Sequence, residues 1–123
     1  MTKEERQLLL VDLAARLPYK VKVCLYEKET CILMGIDGYE VYLDVDSGSF
    51  RIESIKPYLR PMSSMTEEEV AEFESITEEL LEHGTSEEIW DTVIDWLNAH
   101  HFDYRNLIGK GLALEAPEGM YKI

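Results

Sequence analysis

Apolar residues recur every three to four positions at the start of the chain, every second position through its next third, and every three to four again in the second half. That order predicts a helix, then strands, then helices. Thr2 followed by Glu5 forms a capping box, in which hydroxyl and carboxylate each accept a backbone N–H that the first helical turn leaves orphaned. The helix it opens runs over Lys3 to Arg16 and is stopped by Pro18. At 100° per residue, Leu9, Leu10, Leu13, Ala14 and Leu17 fall on one face, with Glu5, Asp12 and Arg16 opposite.

From Lys20 the period is two. Val21, Val23 and Leu25 alternate with Lys20, Lys22 and Tyr26, and a Glu-Lys-Glu turn leads into a strand over Thr30 to Ile36. Asp37-Gly38 stands between two strand-like runs and suits the positive φ values of a tight hairpin turn. Tyr39, Val41, Leu43 and Val45 form the next alternating strand. Asp46-Ser47-Gly48-Ser49 turns it, and Phe50, Ile52 and Ile55 mark a fourth. Four short strands behind one helix bury both sheet faces only by curling into a small partial barrel or by packing the helix over one face. Lys56 to Arg60 and Pro61, with prolines at 57 and 61, predicts an extended connector that is neither helix nor central strand.

Thr66 with Glu69 is a second capping box, opening a helix over Glu67 to Glu82 that Gly84 ends in the left-handed position. Its apolar arc is Val70, Phe73, Ile76, Leu80 and Leu81. Thr85 with Glu88 is a third box, opening a helix over Glu87 to Asn98 with Ile89, Trp90, Val93, Trp96 and Leu97 inward. Trp90, Trp96, Phe73 and Phe102 are the expected core anchors. The two helices form an antiparallel hairpin, followed by a short helical turn from the cap Asp103 through Ile108 to Gly109. A tail with Leu112, Leu114, Pro117 and Tyr121 lies back over the fold. The expected fold class is α+β: an N-terminal helix, a four-stranded antiparallel meander or small partial barrel, an acidic helical hairpin and an ordered tail. The 123 residues make one domain, with a helix-plus-strand part over 1–61 and a helical part over 62–123.

Charge sharpens this division. The net charge is −13, and between Arg60 and Arg105 there is no Lys or Arg, whereas thirteen carboxylates run from Glu67 to Asp103. The remainder carries equal numbers of acids and bases. Charge segregated in this way describes surfaces and partners. The candidate protein-binding face is therefore Glu68, Glu72, Glu79, Glu82, Glu87, Asp91 and Asp95, and the partner it suits is a protein with a basic surface. Carboxylate rows that imitate a phosphate backbone, or direct nucleic-acid binding by a small barrel, form the alternative. Lys20, Lys22, Lys28, Arg51, Lys56 and Arg60 with Tyr19, Tyr26, Tyr42 and Tyr58 would supply such a barrel surface, but nearly as many acids lie among them, so no basic stripe forms.

Other chemistries find little support. Cys24 and Cys31, the only two cysteines, read as reduced buried thiols. His83, His100, His101 and Asp103 are the one candidate metal cluster, but their spacing is not that of a zinc site, and His83 and Asp103 have roles at helix ends. Asp44-Val45-Asp46-Ser47-Gly48 opens like a calcium loop but has Ile55 where a bidentate Glu is needed. Asp91 and Asp95 stand one turn apart, as a magnesium pair would, though a solvated face explains them. No phosphate loop or nucleophile elbow appears. The expectation is a non-enzymatic protein without cofactor or metal. Without a leader-like N-terminus or an apolar run that spans a bilayer, a cytoplasmic location is expected.

Two stretches carry a resemblance. Ile55-Lys56-Pro57-Tyr58-Leu59-Arg60-Pro61-Met62-Ser63-Ser64-Met65-Thr66-Glu67-Glu68-Glu69 and Asp95 to Tyr121, with Trp96-Leu97-Asn98-Ala99-His100-His101-Phe102-Asp103-Tyr104-Arg105 and Gly111-Leu112-Ala113-Leu114-Glu115-Ala116-Pro117, resemble a family of short proteins encoded in Bacteroidales genomes and in their phages or integrated elements. Thr2 to Tyr19 is similar to that family as well. The family has no assigned activity, so the resemblance implies no catalytic or binding residue; it implies an accessory protein of a mobile element.

Overall fold

The structure, a computed structural model, describes residues 1–45 and 48–121. Helix α1 (Lys3–Arg16) precedes a sheet of six strands, and helices α2 (Glu67–His83) and α3 (Ser86–Ala99) follow, an α+β arrangement. The strands are β1 (Lys22–Leu25), β2 (Glu29–Asp37), β3 (Glu40–Leu43), β4 (Ser49–Arg51), β5 (Ile55–Leu59) and β6 (Leu114–Glu115). Their order is β4-β3-β2-β1-β5-β6, antiparallel except for the parallel β5–β6 pair. The expected four-stranded antiparallel meander is thus only part of the sheet: β1 to β4 form it, β5 returns to pair with β1, and the tail adds β6. With β4 and β6 at opposite ends of the order, the sheet is open.

The connector expected over Lys56 to Arg60 is corrected to a strand, with Pro57 opposite Val23. β6 reaches only Tyr58 and Leu59, so beside Pro57 the sheet is paired on one side alone. A proline, which has no N–H to give, is tolerated where one ladder is missing. The hairpin turn after β2 also shifts by one residue. Asp37 pairs with Glu40, and the two turn residues are Gly38, at φ +61°, and Tyr39. Positive φ at the first turn position alone is the demand that glycine meets there. The predicted turn through Asp46 and Ser47 lies outside the described residues.

All three capping boxes are present, with Thr2, Thr66 and Thr85 accepting from Glu5, Glu69 and Glu88. Gly84, expected in the left-handed region, is extended at φ −101°. It is needed for closeness instead: a Cβ there would stand 2.8 Å from the Leu80 carbonyl oxygen. The left-handed helix end belongs to α3. His101, at φ +64°, donates its N–H to the Asn98 carbonyl, and Phe102 donates to that of Leu97. This is a Schellman ending with histidine where glycine is usual, closed by the Phe102 ring stacked on Trp96. The predicted helical turn from Asp103 is a set of turns, although Asp103 does cap it, accepting from Leu107 and Ile108.

Two apolar clusters form. Leu9 and Leu13 of α1 pack with Val23, Leu33, Val41, Ile55 and Leu59 of the sheet, joined by Leu107, Leu112 and Ala113 from the tail. Val93, Trp96, Leu97 and Phe102 form the second, flanked by Phe73, Ile76, Leu80 and Ile89. The outward face assigned to α1 is wrong at two positions: Asp12 and Arg16 are fully buried, and Ala14 is exposed. Arg16 makes a two-pronged ion pair with Asp12, at 2.8 and 3.2 Å, and donates at 2.6 Å to the Phe102 carbonyl. Arg105 donates to the same Asp12 carboxylate at 2.7 Å. On the hairpin the expected arcs also overreach, since Val70, Leu81 and Trp90 are exposed. Trp90 is no core anchor.

Removing one member of a buried ion pair strands the other without compensation. Asp12→Ala should cost about 3–5 kcal/mol in denaturant unfolding, and the double variant Asp12→Leu/Arg16→Met should lose less than that single change. Trp96→Ala should likewise cost about 3–5 kcal/mol, whereas Trp90→Ala should stay within about 0.5 kcal/mol of the parent, a contrast that melting curves would read directly.

Candidate functional site

The acidic hairpin is two helices whose apolar arcs meet through Phe73, Ile76 and Leu80 on α2 and Ile89, Val93 and Trp96 on α3. Each of the seven acids singled out from the sequence is exposed. They do not form one face. Helices wind right-handedly, so in an antiparallel pair the residue just before a facing position points to one side on both helices, and the residue just after points to the other. Glu72 and Glu79, preceding Phe73 and Leu80, lie with Glu68 and Asp95 on the first side. There the Trp96 indole donates to Glu72 at 2.9 Å, and the Tyr19 hydroxyl donates to Asp95 at 3.1 Å. Glu82 turns to the back of α2. Glu87 borders the second side, the one that carries Leu81 and Trp90, and Asp91, two residues from both Ile89 and Val93, turns to the back of α3.

One acid of this segment serves as a structural anchor, and spacing alone showed only its capping role. Glu69 is buried and takes both prongs of Arg60, at 2.6 and 2.7 Å. That pairing, helped by the Thr66 N–H, holds its carboxyl down at about 2. Arg60 also lies 4.3 Å over the Phe102 ring, and its backbone pairs with residues 101 and 103. Arg60 is therefore no free charge for a nucleic-acid surface. Lys22 is likewise engaged, its ammonium donating to the Met120 carbonyl at 2.9 Å. Of the tyrosines grouped with these bases, Tyr26 and Tyr42 are exposed, whereas Tyr19 is bound to Asp95.

The histidines and Asp103 have separate tasks. His83 sits exposed beside Glu82, and His100 stacks on Trp96 with ring centres 4.1 Å apart. His101 is buried against Tyr121, ring centres 3.7 Å apart. Among the described residues no three His, Cys, Asp or Glu side chains gather as a metal would require. The cysteines are free and buried, on adjacent strands but opposite faces: Cys31 pairs with Val23 on the core side, and Cys24 with Thr30 on the other. Burial, with Asp44 and Glu29 nearby, pushes the Cys31 thiol up. On the Cys24 side, that residue, Tyr26, Lys56, Tyr58 and Leu114 line a groove of about 670 Å³. The Tyr121 hydroxyl closes the far end of the β1–β5 ladder, accepting from the Lys22 N–H and donating to the Tyr58 carbonyl, both at 2.8 Å.

Compared with protein-family models, with curated proteins and with solved structures, the chain matches none.

Burial, with Arg16 and Arg60 nearby, lowers His101 to about 4, against 6.5 for the free side chain. Between those values the unfolded chain binds a proton that the folded one refuses, so stability falls as pH drops from 6.5 towards 4, by up to about 3 kcal/mol. The Glu69 carboxyl adds a second loss below 4.5, as pH falls towards 2. His101→Asn, which tolerates a left-handed backbone, should flatten the upper part of that decline in urea unfolding measured from pH 7 to 2 and leave the lower part. An unchanged slope would place the acid sensitivity elsewhere.

Proposed function

We propose that this is a small non-enzymatic binding or regulatory protein that engages a basic protein surface through the exposed carboxylates of its helical hairpin. One observation carries the proposal. Carboxylates near the junction with the sheet are matched by Arg60, by Tyr19 and by backbone N–H groups, while Glu78, Glu79, Glu82, Glu87 and Asp91 towards the hairpin tip are exposed, in a stretch with no Lys or Arg between Arg60 and Arg105. A field of one sign on a projecting element speeds encounter with an oppositely charged partner and rejects like-charged ones. The resemblance carried by residues 55–69 and 95–121 supports an accessory role in a phage or integrated element and a cytoplasmic setting. No helix among the described residues is long and apolar enough to cross a membrane.

The test is a nuclease-treated pull-down from Bacteroidales lysate at low and high salt. It compares the parent with a variant in which Glu68, Glu72, Glu79, Glu82, Glu87, Asp91 and Asp95 become Gln or Asn. The expected result is a stoichiometric partner with a basic surface, released by high salt and absent with the variant. A partner retained equally by both would overturn the assignment to the hairpin.

A further inference from the structure

Leu81 is 71% exposed and Trp90 65%, the two most exposed of the large hydrophobic side chains. Each follows a facing residue, Leu80 on α2 and Ile89 on α3, so the winding that separates the acids places both on the same side of the hairpin. They also lie at nearly the same height. Leu81 stands three residues before Gly84 and Trp90 four residues after Ser86, on either side of the one tight connection. Further from the tip the same side continues through Thr77 and the exposed Val70 on α2 and the half-buried Ile94 on α3. At the base Leu97 is buried in the second cluster. One side of the hairpin is thus an apolar groove that the body of the protein covers at the base and leaves open towards the tip.

The groove is flanked by acids on both walls. On α2, Glu78 lies one turn and Glu74 two turns from Leu81; on α3, Glu87 lies one turn from Trp90, and all three are exposed. An apolar centre with a charged, solvated rim is the anatomy of a protein interface, and tryptophan is among the residues most often carrying its energy. Two antiparallel helices with an open groove between them accept a third helix along it. The charge decides which helix. A second copy of this chain would set carboxylates against carboxylates, whereas a helix with Lys or Arg on both flanks of an apolar stripe meets Glu74 and Glu78 on one side and Glu87 on the other.

We infer that the Leu81–Trp90 groove is the docking site for a basic amphipathic helix of the partner. The inference rests on the proposed function and names the contact within it: charge brings the partner in, and the apolar pair holds it.

The probe is a synthetic 14-residue Leu/Lys peptide with its leucines on one helical face, titrated calorimetrically into the full chain and followed by tryptophan emission. Tetradeca-lysine serves as the control without an apolar stripe. The expected result is that the Leu/Lys peptide binds at least tenfold more tightly than the control. Trp90→Ala should weaken it about tenfold and Leu81→Ala severalfold, with melting temperatures unchanged, and emission of the parent should shift to the blue. Equal affinity of the two peptides, or a Trp90→Ala variant that binds as the parent does, would overturn the groove and leave the acidic-face reading standing. Failure of both peptides to bind at low salt would overturn both.

Discussion

Two arginines hold the same three residues, 101 to 103. Arg16, at the end of α1, donates to the carbonyl of Phe102; Arg60, at the end of β5, pairs its own backbone with residues 101 and 103 and lies over the Phe102 ring. That stretch is where the helical hairpin enters the sheet domain, and Phe102 belongs to the hairpin's cluster by its ring and to the sheet's side by its carbonyl. The buried Arg16 guanidinium is met at Nε and one Nη by carboxylate and carbonyl oxygens, its other Nη standing without a partner, and those bonds tie α1, Asp12, Arg105 and residue 102 to one mutual geometry. Apolar contact between two clusters permits sliding. A planar fork bonded on two sides does not, and it sets the angle at which the hairpin leaves the sheet.

The joint also explains how a segment with thirteen acids and no lysine or arginine folds. It takes its counter-charges from outside itself. Glu69 is met by Arg60, and the apolar cluster beyond it is assembled around Trp96, whose indole is met by Glu72. At the tip no Lys or Arg stands in the sequence, and the carboxylates there stay exposed, where water and salt screen their repulsion. Acids near the joint thus do structural work, and at the tip, apart from the cap Glu88, they are left for whatever approaches from solution. The seven carboxylates grouped from the sequence mix these two kinds, since Glu72 and Asp95 have internal donors and Glu87 and Asp91 do not.

Much of the fold was legible along the chain. The three capping boxes placed every long helix to within a residue or two, because the box is a local bonding pattern whose partners lie three residues apart. The meander was legible through its alternation. What escaped was non-local. Pro57 argues against a strand until the short reach of β6 is known, and β6 itself is two residues long. The turn read at Glu27-Lys28-Glu29 stands one residue earlier, at 26–28, with positive φ at Tyr26 and Glu27; neither is glycine or asparagine, so no residue type fixed its place. Asp12 and Arg16 read as an exposed pair one turn apart on α1, and only the arrival of Phe102 and Arg105, some ninety residues later, buries them.

The misplacement of Trp90 follows from the same distinction and bears on the site. A helical wheel reports the width of an apolar arc and not how much of it the protein fills. On α3 the arc from Ile89 round to Trp90 is wider than a single facing helix covers. Its buried part, Val93, Trp96 and Leu97, meets α2 and Phe102, while Trp90 is left mostly exposed. The acids beside it make self-association the least favourable way to cover that excess. An apolar arc broader than its internal contact, bordered by charge of one sign, is what a helix shows when part of its packing is completed by another molecule.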